Sequence, residues 1–388
     1  MINDPISLWL FYFHNSFLTY LSRFLDLFAV PIVFAFLFFI IVLSYWRQGI
    51  KLRSSLSLFS KVWPDMKKDL DLLKKRAFVF LIALLLTIAV VQFIKLVYPQ
   101  DRPCVSEIYT DKIECPSTSS FPSTHTASAA SLIMFTLGTS LFIPSFIFYL
   151  FVAFSRVYLG VHFLLDVIVA SSVSISIYLL VNLFLNPSKT KIAPKSSNIF
   201  RGFLHLSFGL FIMSILMVLS FFSLYPIIIT MLVLMLILFV LLFFLHLDFK
   251  GRKHPIIHSI IDFVSIRDTF PGESAIWFIL GSIILLGFVQ DINLSIAALY
   301  IVTIGDVASA AFSSSKTSSK GINESVFKNK NIFSFAAFVI FSLPSLIFLG
   351  LNGIWMIILA AVIESIDLKV NDNFLILLFL TLSLLLFY

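Results

Sequence analysis

Residues 77–98 read AFVFLIALLLTIAVVQFIKLVY, close to the ~20 apolar residues that a helix needs to cross a bilayer. Working outward, comparable runs fall at roughly 29–46, 125–142, 144–160, 162–185, 203–224, 226–247, 275–290, 294–312, 332–350, 354–366 and 373–388. The 388-residue chain is 60% hydrophobic and only 12% charged, with mean hydropathy +1.04. Soluble domains average about 25% charged residues, so hydrocarbon is the main solvent here. The expected class is an all-α, polytopic integral membrane protein, with about twelve transmembrane helices in two helical-bundle domains. Residues 1–28 are apolar but broken by Asn3, Asp4, Pro5, His14, Asn15, Arg23 and Asp26. They read as an amphipathic stretch lying in the outer interface. The apolar N-terminal stretch has neither the basic leader nor the small-residue cleavage site of a signal peptide.

The net charge of +7 does not form a soluble basic face, and nucleic acid is not an expected partner. The charges concentrate in short loops, as topology control by positive charge predicts. Arg47, Lys51, Arg53, Lys61, Lys67, Lys68, Lys74, Lys75 and Arg76 outnumber Asp65, Asp69 and Asp71 after the first span, which places that loop in the cytoplasm. Asp101, Glu107, Asp111 and Glu114 outnumber Arg102 and Lys112 in 99–121, which places that loop outside. Cys104 and Cys115, the two cysteines, both fall in it. A reduced pair is the alternative; on the outer face a disulfide is expected. It would stiffen the segment joining Arg102 to Ser123 and stabilise the fold by about 3 kcal/mol.

The stretch 186–202, rich in Pro, Ser, Lys and Asn, reads as a cytoplasmic linker between a first domain over 1–185 and a second over 203–388. No repeat relates the two halves, which argues against a transporter built from symmetry-related halves.

Chemistry concentrates at the ends of the spans in the first half. Lys95 precedes Arg102-Pro103; Pro122-Ser123-Thr124-His125 follows; then come Ser155-Arg156, His162 and Asp166. Arginine offers a fork to two phosphate oxygens and lysine a point charge. Each cation alone is explained as well by an ion pair inside the membrane; the full set is not. His162 and Asp166, four apart, share one helix face, so the carboxylate can accept from one ring nitrogen and aim the other.

These motifs, Lys-x6-Arg-Pro, Pro-Ser-x-His and Ser-Arg-x5-His-x3-Asp, resemble the three signatures of the type 2 phosphatidic acid phosphatase (PAP2) superfamily of membrane lipid phosphatases and polyprenyl diphosphatases. The resemblance implies that His162 attacks phosphorus to give a phosphohistidine, His125 protonates the leaving alkoxide and Asp166 orients His162. Lys95, Arg102, Ser123 and Arg156 would hold the phosphoryl oxygens. It implies no metal or other cofactor for this half, a lipid substrate in the bilayer, and a site on the outer face. Thr124 stands where the family has glycine, a departure that resembles members acting on long-chain base phosphates.

In the second half, Gly305-Asp306 lies in mid-span, and Glu364, Asp372 and Asn373 cluster where another span ends. Ionisable groups inside spans are costly and usually functional, although helix caps beside inside-positive loops would also account for them. Gly-Asp-Val-Ala-Ser-Ala-Ala from Gly305 and Glu364 through Asn373 resemble the CTP-dependent lipid kinases that include dolichol, phytol and diacylglycerol kinases. That implies a cytoplasmic site for CTP and Mg²⁺ using Asp306, Lys330, Glu364, Asp372 and Asn373. The element at Lys330 lacks the family's Glu and Gly, and Ser313–Ser315 replace its Gly-rich stretch. The combined expectation is a polyprenyl (di)phosphate phosphatase with a possible second activity as a polyprenol or lipid kinase. The alternative is a phosphatidate or sphingoid-type phosphatase whose second domain is an inactive scaffold.

Overall fold

The computed structural model describes residues 5–49, 65–105, 112–186, 196–222, 225–251, 272–312, 332–366, 368 and 370–388. Among these, the chain is helical and forms no strand. Among the described residues, six helices are long and apolar enough to cross a membrane: Ser16–Leu43, Lys68–Val97, Leu164–Leu185, Pro226–Phe249, Ile292–Phe312 and Ile332–Leu349. Five shorter apolar helices accompany them. The expected dozen spans are thus six of full length plus shorter pieces. The chain folds as two compact units, one of residues 1–187 with 242–254, the other of 188–241 with 255–388.

The first unit contains α1 (Pro5–Tyr12), α2 (Ser16–Gly49), α3 (Met66–Val97), α4 (Thr124–Thr136), α5 (Phe142–Tyr158) and α6 (Leu164–Leu185). At its centre lies α4, which packs against α2, α3, α5 and α6. Its sequence, THTASAASLIMFT, supplies small residues that let neighbouring backbones approach closely. Every residue from Thr126 to Thr136 is buried. At 13 residues and ~1.5 Å per residue, α4 falls well short of a ~30 Å hydrocarbon core. The expected span 125–142 breaks because Gly138 turns the chain at φ +80°. Arg76 closes the break by donating to the carbonyl oxygens of Leu137 (2.5 Å) and Phe135 (3.5 Å), which the end of α4 would leave without partners. Asp69 accepts from Ser140 N at 3.0 Å and from its hydroxyl. Since α3 begins at Met66, the charges from Lys67 to Arg76 sit on a helix, where the sequence suggested a loop.

The N-terminal stretch also differs from expectation. Asn15 accepts from Leu18 N at 3.1 Å, and from Ser16 the chain runs as one helix through Pro31 to Gly49. Several polar residues at and after its start bond to the rest of the unit. Asn15 N donates to the Tyr158 hydroxyl (3.0 Å), Thr19 Oγ1 meets the same hydroxyl (2.9 Å), and Arg23 Nε donates to Lys112 O (2.7 Å). Phe17, Phe38, Phe78 and Phe93 remain exposed, as lipid-facing side chains are. The polar positions that suggest a water-facing stripe are the positions by which α2 binds the rest of the unit.

The second unit contains α7 (Ser196–Phe221), most of α8 (Pro226–Phe249), α9 (Glu273–Val289), α10 (Ile292–Phe312), α11 (Ile332–Ser342), α12 (Leu346–Leu349), α13 (Ile354–Ser365) and α14 (Asp372–Phe387). Here α10 is central, packing against α7, α9, α11, α13 and α14. Gly209 lies so close to Thr303 that any side chain at 209 would collide with it.

Candidate active site

Three helix ends and one loop of the first unit meet at His162. The loop after α3 carries Arg102, enters a 3-10 turn at Pro103–Val105, and returns through Cys115, which is disulfide-bonded to Cys104. Residues 118–120 then form a strap held by two cations. Lys95 Nζ donates to the carbonyl oxygens of Ser119 (2.5 Å) and Ser120 (3.2 Å). Arg102 donates through Nε to Thr118 O (2.7 Å) and through Nη2 to Thr118 Oγ1 (2.9 Å). Arg102 Nη1 reaches Val161 O at 2.9 Å and lies 3.4 Å from His162 Nε2.

The two ring nitrogens of His162 have different surroundings. Nδ1 is 3.3 Å from Asp166 Oδ2 and 3.5 Å from Ser120 Oγ. The same carboxylate oxygen accepts from Phe163 N at 2.9 Å and from the Ser120 hydroxyl. Asp166, in the first turn of α6, is wholly buried. Nε2 faces the guanidinium of Arg102. His162 lies outside α6, and burial together with the charges of Arg156, Arg102, Lys95 and His125 holds it well below its ordinary value of 6.5. The imidazole is therefore neutral near pH 7, with Nδ1 directed to the carboxylate and Nε2 directed to the cations. Burial, followed by the charge of Arg156, pushes Arg102 down to about 10, where it is still a cation at neutral pH.

Ser123 caps α4: its hydroxyl accepts from Thr126 Oγ1 (3.0 Å) and N (3.4 Å), while its own N donates to Asp166 O (3.3 Å). Thr124 starts the helix without the positive φ that would require glycine, and its hydroxyl accepts from Gln92 at 3.4 Å. His125, half-buried in the first turn of α4, lies within electrostatic reach of Asp26, Arg156, Arg102 and His162. Arg156 is buried at the end of α5, with Nη1 paired to Asp26 Oδ1. Its Nε has no hydrogen-bond partner among the described residues. Lys95, Arg102, Ser123, His125, Arg156, His162 and Asp166 thus share one locus.

Sequence reasoning misses the partners of these groups. In the sequence Asp26 reads as interfacial, the Thr118–Ser120 strap as plain loop, and Lys112 as one charge in a topology count. The Lys112 ammonium donates to the carbonyl oxygens of Leu10 (3.1 Å), Phe13 (2.8 Å) and Tyr158 (3.1 Å), and lies 3.8 Å from the centroid of the Tyr158 ring. Burial pushes it down to about 8. It ties the disulfide loop to α1 and to the end of α5.

In the second unit, Asp306 and Asn373 are brought together by a residue that no sequence motif marks. His205 Nδ1 is 3.6 Å from Asp306 Oδ2 and 3.2 Å from Asn373 Nδ2. Asp372 accepts from Asn373 N at 3.2 Å at the start of α14, and Glu364 is buried on α13. Lys330 lies outside the described residues. Among the described residues, no group of three or more His, Cys, Asp or Glu side chains is placed to hold a metal ion.

No curated protein and no solved structure matches the chain. The PAP2 superfamily profile matches residues 76–189, which include every group around His162 except Asp26.

Proposed function

We propose that the first unit hydrolyses a lipid phosphomonoester or diphosphate through a phosphohistidine, with polyprenyl (di)phosphate the favoured substrate. A phosphatase-type hydrolase acting on lipid phosphoesters is supported by the PAP2 domain. The observation that carries the mechanism is the orientation of His162, with Nδ1 at Asp166 and Nε2 at Arg102. The Nε2 lone pair attacks phosphorus and the bond from phosphorus to the lipid oxygen breaks. His125 gives its proton to the departing oxygen, releasing the alcohol from a monoester. Water then attacks the phosphohistidine, returning a proton to His125 and releasing phosphate. Arg102, Arg156 and Lys95 offset the charge that builds on the phosphoryl oxygens. An apolar cavity of about 410 Å³ between α2 and α5, lined by Leu18, Leu25, Leu150 and Phe154 among others, suits a hydrocarbon chain.

The test is a phosphate-release screen over polyprenyl mono- and diphosphates, phosphatidate and sphingoid phosphates, run beside His162→Ala. Rapid quenching should trap an acid-labile phosphoenzyme on the wild type; an acid-stable one would refute the assignment. The charge pattern supports an extracytoplasmic site. After reduction, a membrane-impermeant thiol reagent should label Cys104 and Cys115 in intact cells; labelling that needs permeabilised cells would reverse the topology.

For the second unit, the resemblance to CTP-dependent lipid kinases and the meeting of Asp306 with Asn373 at His205 support a second, cytoplasmic activity on a lipid alcohol. Purified protein supplied with CTP, Mg²⁺, polyprenols and diacylglycerol tests it. Absence of phosphorylated lipid would leave the second unit as a membrane scaffold.

A further inference from the structure

Arg156 is held differently from the other two cations at His162. Lys95 and Arg102 are oriented by backbone carbonyls of the strap and of Val161. Arg156 is oriented by a carboxylate from α2, outside the segment that matches the superfamily. Asp26 occupies only one terminal nitrogen, Nη1, while Nε is buried with no partner among the described residues. A buried donor without an acceptor is costly, and the Nε edge of a guanidinium is one of the two edges that match two phosphate oxygens. Asp26 is 27% exposed and Arg156 2%, so the carboxylate holds the guanidinium from the more open side, while Nε stays buried and unpartnered among the described residues.

A purely structural role for the pair is poorly motivated. The attachment of α2 to the unit is already secured by Asn15 and Thr19 on the Tyr158 hydroxyl and by Arg23 on Lys112 O. Asp26 also lies close enough to act electrostatically on His125, placing it beside both a phosphate-holding cation and the proposed acid.

We propose that Asp26 is a positioning residue for phosphoryl transfer, fixing Arg156 by its outer nitrogen so that the Nε edge is presented to the phosphoryl oxygens. The inference rests on the reading of His162 and its cations as a phosphoryl site. It makes the first long helix a working part of that site.

The experiment uses the full chain in detergent micelles, with dioleoyl phosphatidate and farnesyl diphosphate as probes, and compares wild type, Asp26→Ala and Asp26→Asn. Mispositioning should appear in kcat: the Ala variant falls at least tenfold while KM stays within about threefold. The Asn variant keeps an oxygen that accepts from Nη1 and recovers to within about threefold of wild type. A kcat for the Ala variant within threefold of wild type would overturn the proposal, as would an Asn variant no better than Ala. Wild type that releases phosphate from neither probe would refute the underlying phosphoryl-site reading, and the proposal with it. The two failures are distinguished by the wild-type lane alone.

Discussion

Ser120→Ala removes one hydroxyl and leaves the backbone untouched, including the Ser120 carbonyl that accepts from Lys95. In the native protein Asp166 Oδ2 is gripped by the Ser120 hydroxyl and by Phe163 N at 2.9 Å, and His162 Nδ1 lies 3.3 Å away. Hydrogen bonds to charged groups contribute about 1.5–3 kcal/mol. Without the hydroxyl, the carboxylate is held only by Phe163 N and His162, and its wholly buried position gives no water to replace the loss. Each ~1.4 kcal/mol lost from the transition state is tenfold in rate. The expected fall in kcat is therefore about ten- to a hundredfold, with KM nearly constant because Ser120 does not face the cations through its side chain. Phosphate release at saturating lipid phosphate, with His162→Ala as the floor, measures it. A Ser120→Ala enzyme within twofold of wild type would refute the claim that this hydroxyl sets the aim of His162.

Other perturbations separate the roles of the surrounding groups. Arg102→Lys keeps the charge but loses the fork that bonds Thr118 twice while reaching Val161 and His162; kcat/KM should drop by about a hundredfold or more, and steady-state kinetics showing less than fivefold would contradict the arrangement. Reducing Cys104–Cys115, or replacing both with serine, frees a loop with a sequence separation of 11 and should lower stability by about 3 kcal/mol, read as an earlier thermal transition in detergent. Lys112→Met removes three donations to carbonyls of α1, the turn after it and α5. It should lower the transition by several degrees; an unchanged transition would mean that the contacts are not used.

What the sequence made legible was the chemistry of the motifs and the apolar character of the spans. Spacing put Asp166 within reach of His162, but through the turn that enters α6 and not along one helix face, since His162 precedes the helix; the resemblance named the cations. Hidden from it was the direction of polar side chains on α2. Asn15, Thr19, Arg23 and Asp26 are spaced at helical intervals, so they form one stripe in any reading. Periodicity does not say whether a polar stripe faces water or polar protein. The apolar residues between them would have favoured the second reading, because Phe17, Tyr20, Phe24 and Phe28 are exposed on the opposite side and need lipid there. The strap was invisible for a different reason. The strap holds Lys95 and Arg102 mostly through backbone carbonyls, which every residue possesses, so no side-chain pattern marks that grip.

The short central helix explains why such a site can be built at all. Backbone groups at a helix end have no partner within the helix, and in hydrocarbon they must find one in the protein. The start of α4 meets this demand with Ser123, whose hydroxyl accepts from Thr126 while its own N donates to Asp166 O. The end meets it with Arg76 on the carbonyls of Leu137 and Phe135. Because α4 is too short to cross the bilayer, its first turn lies where α3, α5 and α6 also begin or end, and each neighbour contributes one charged group: Lys95, Arg156 and Asp166. Lengthening α4 by a turn would carry His125 away from Arg156 and His162. The breaks in the apolar runs, which weaken the transmembrane reading of 125–142, are thus the condition for bringing three cations, two imidazoles and a carboxylate to one point.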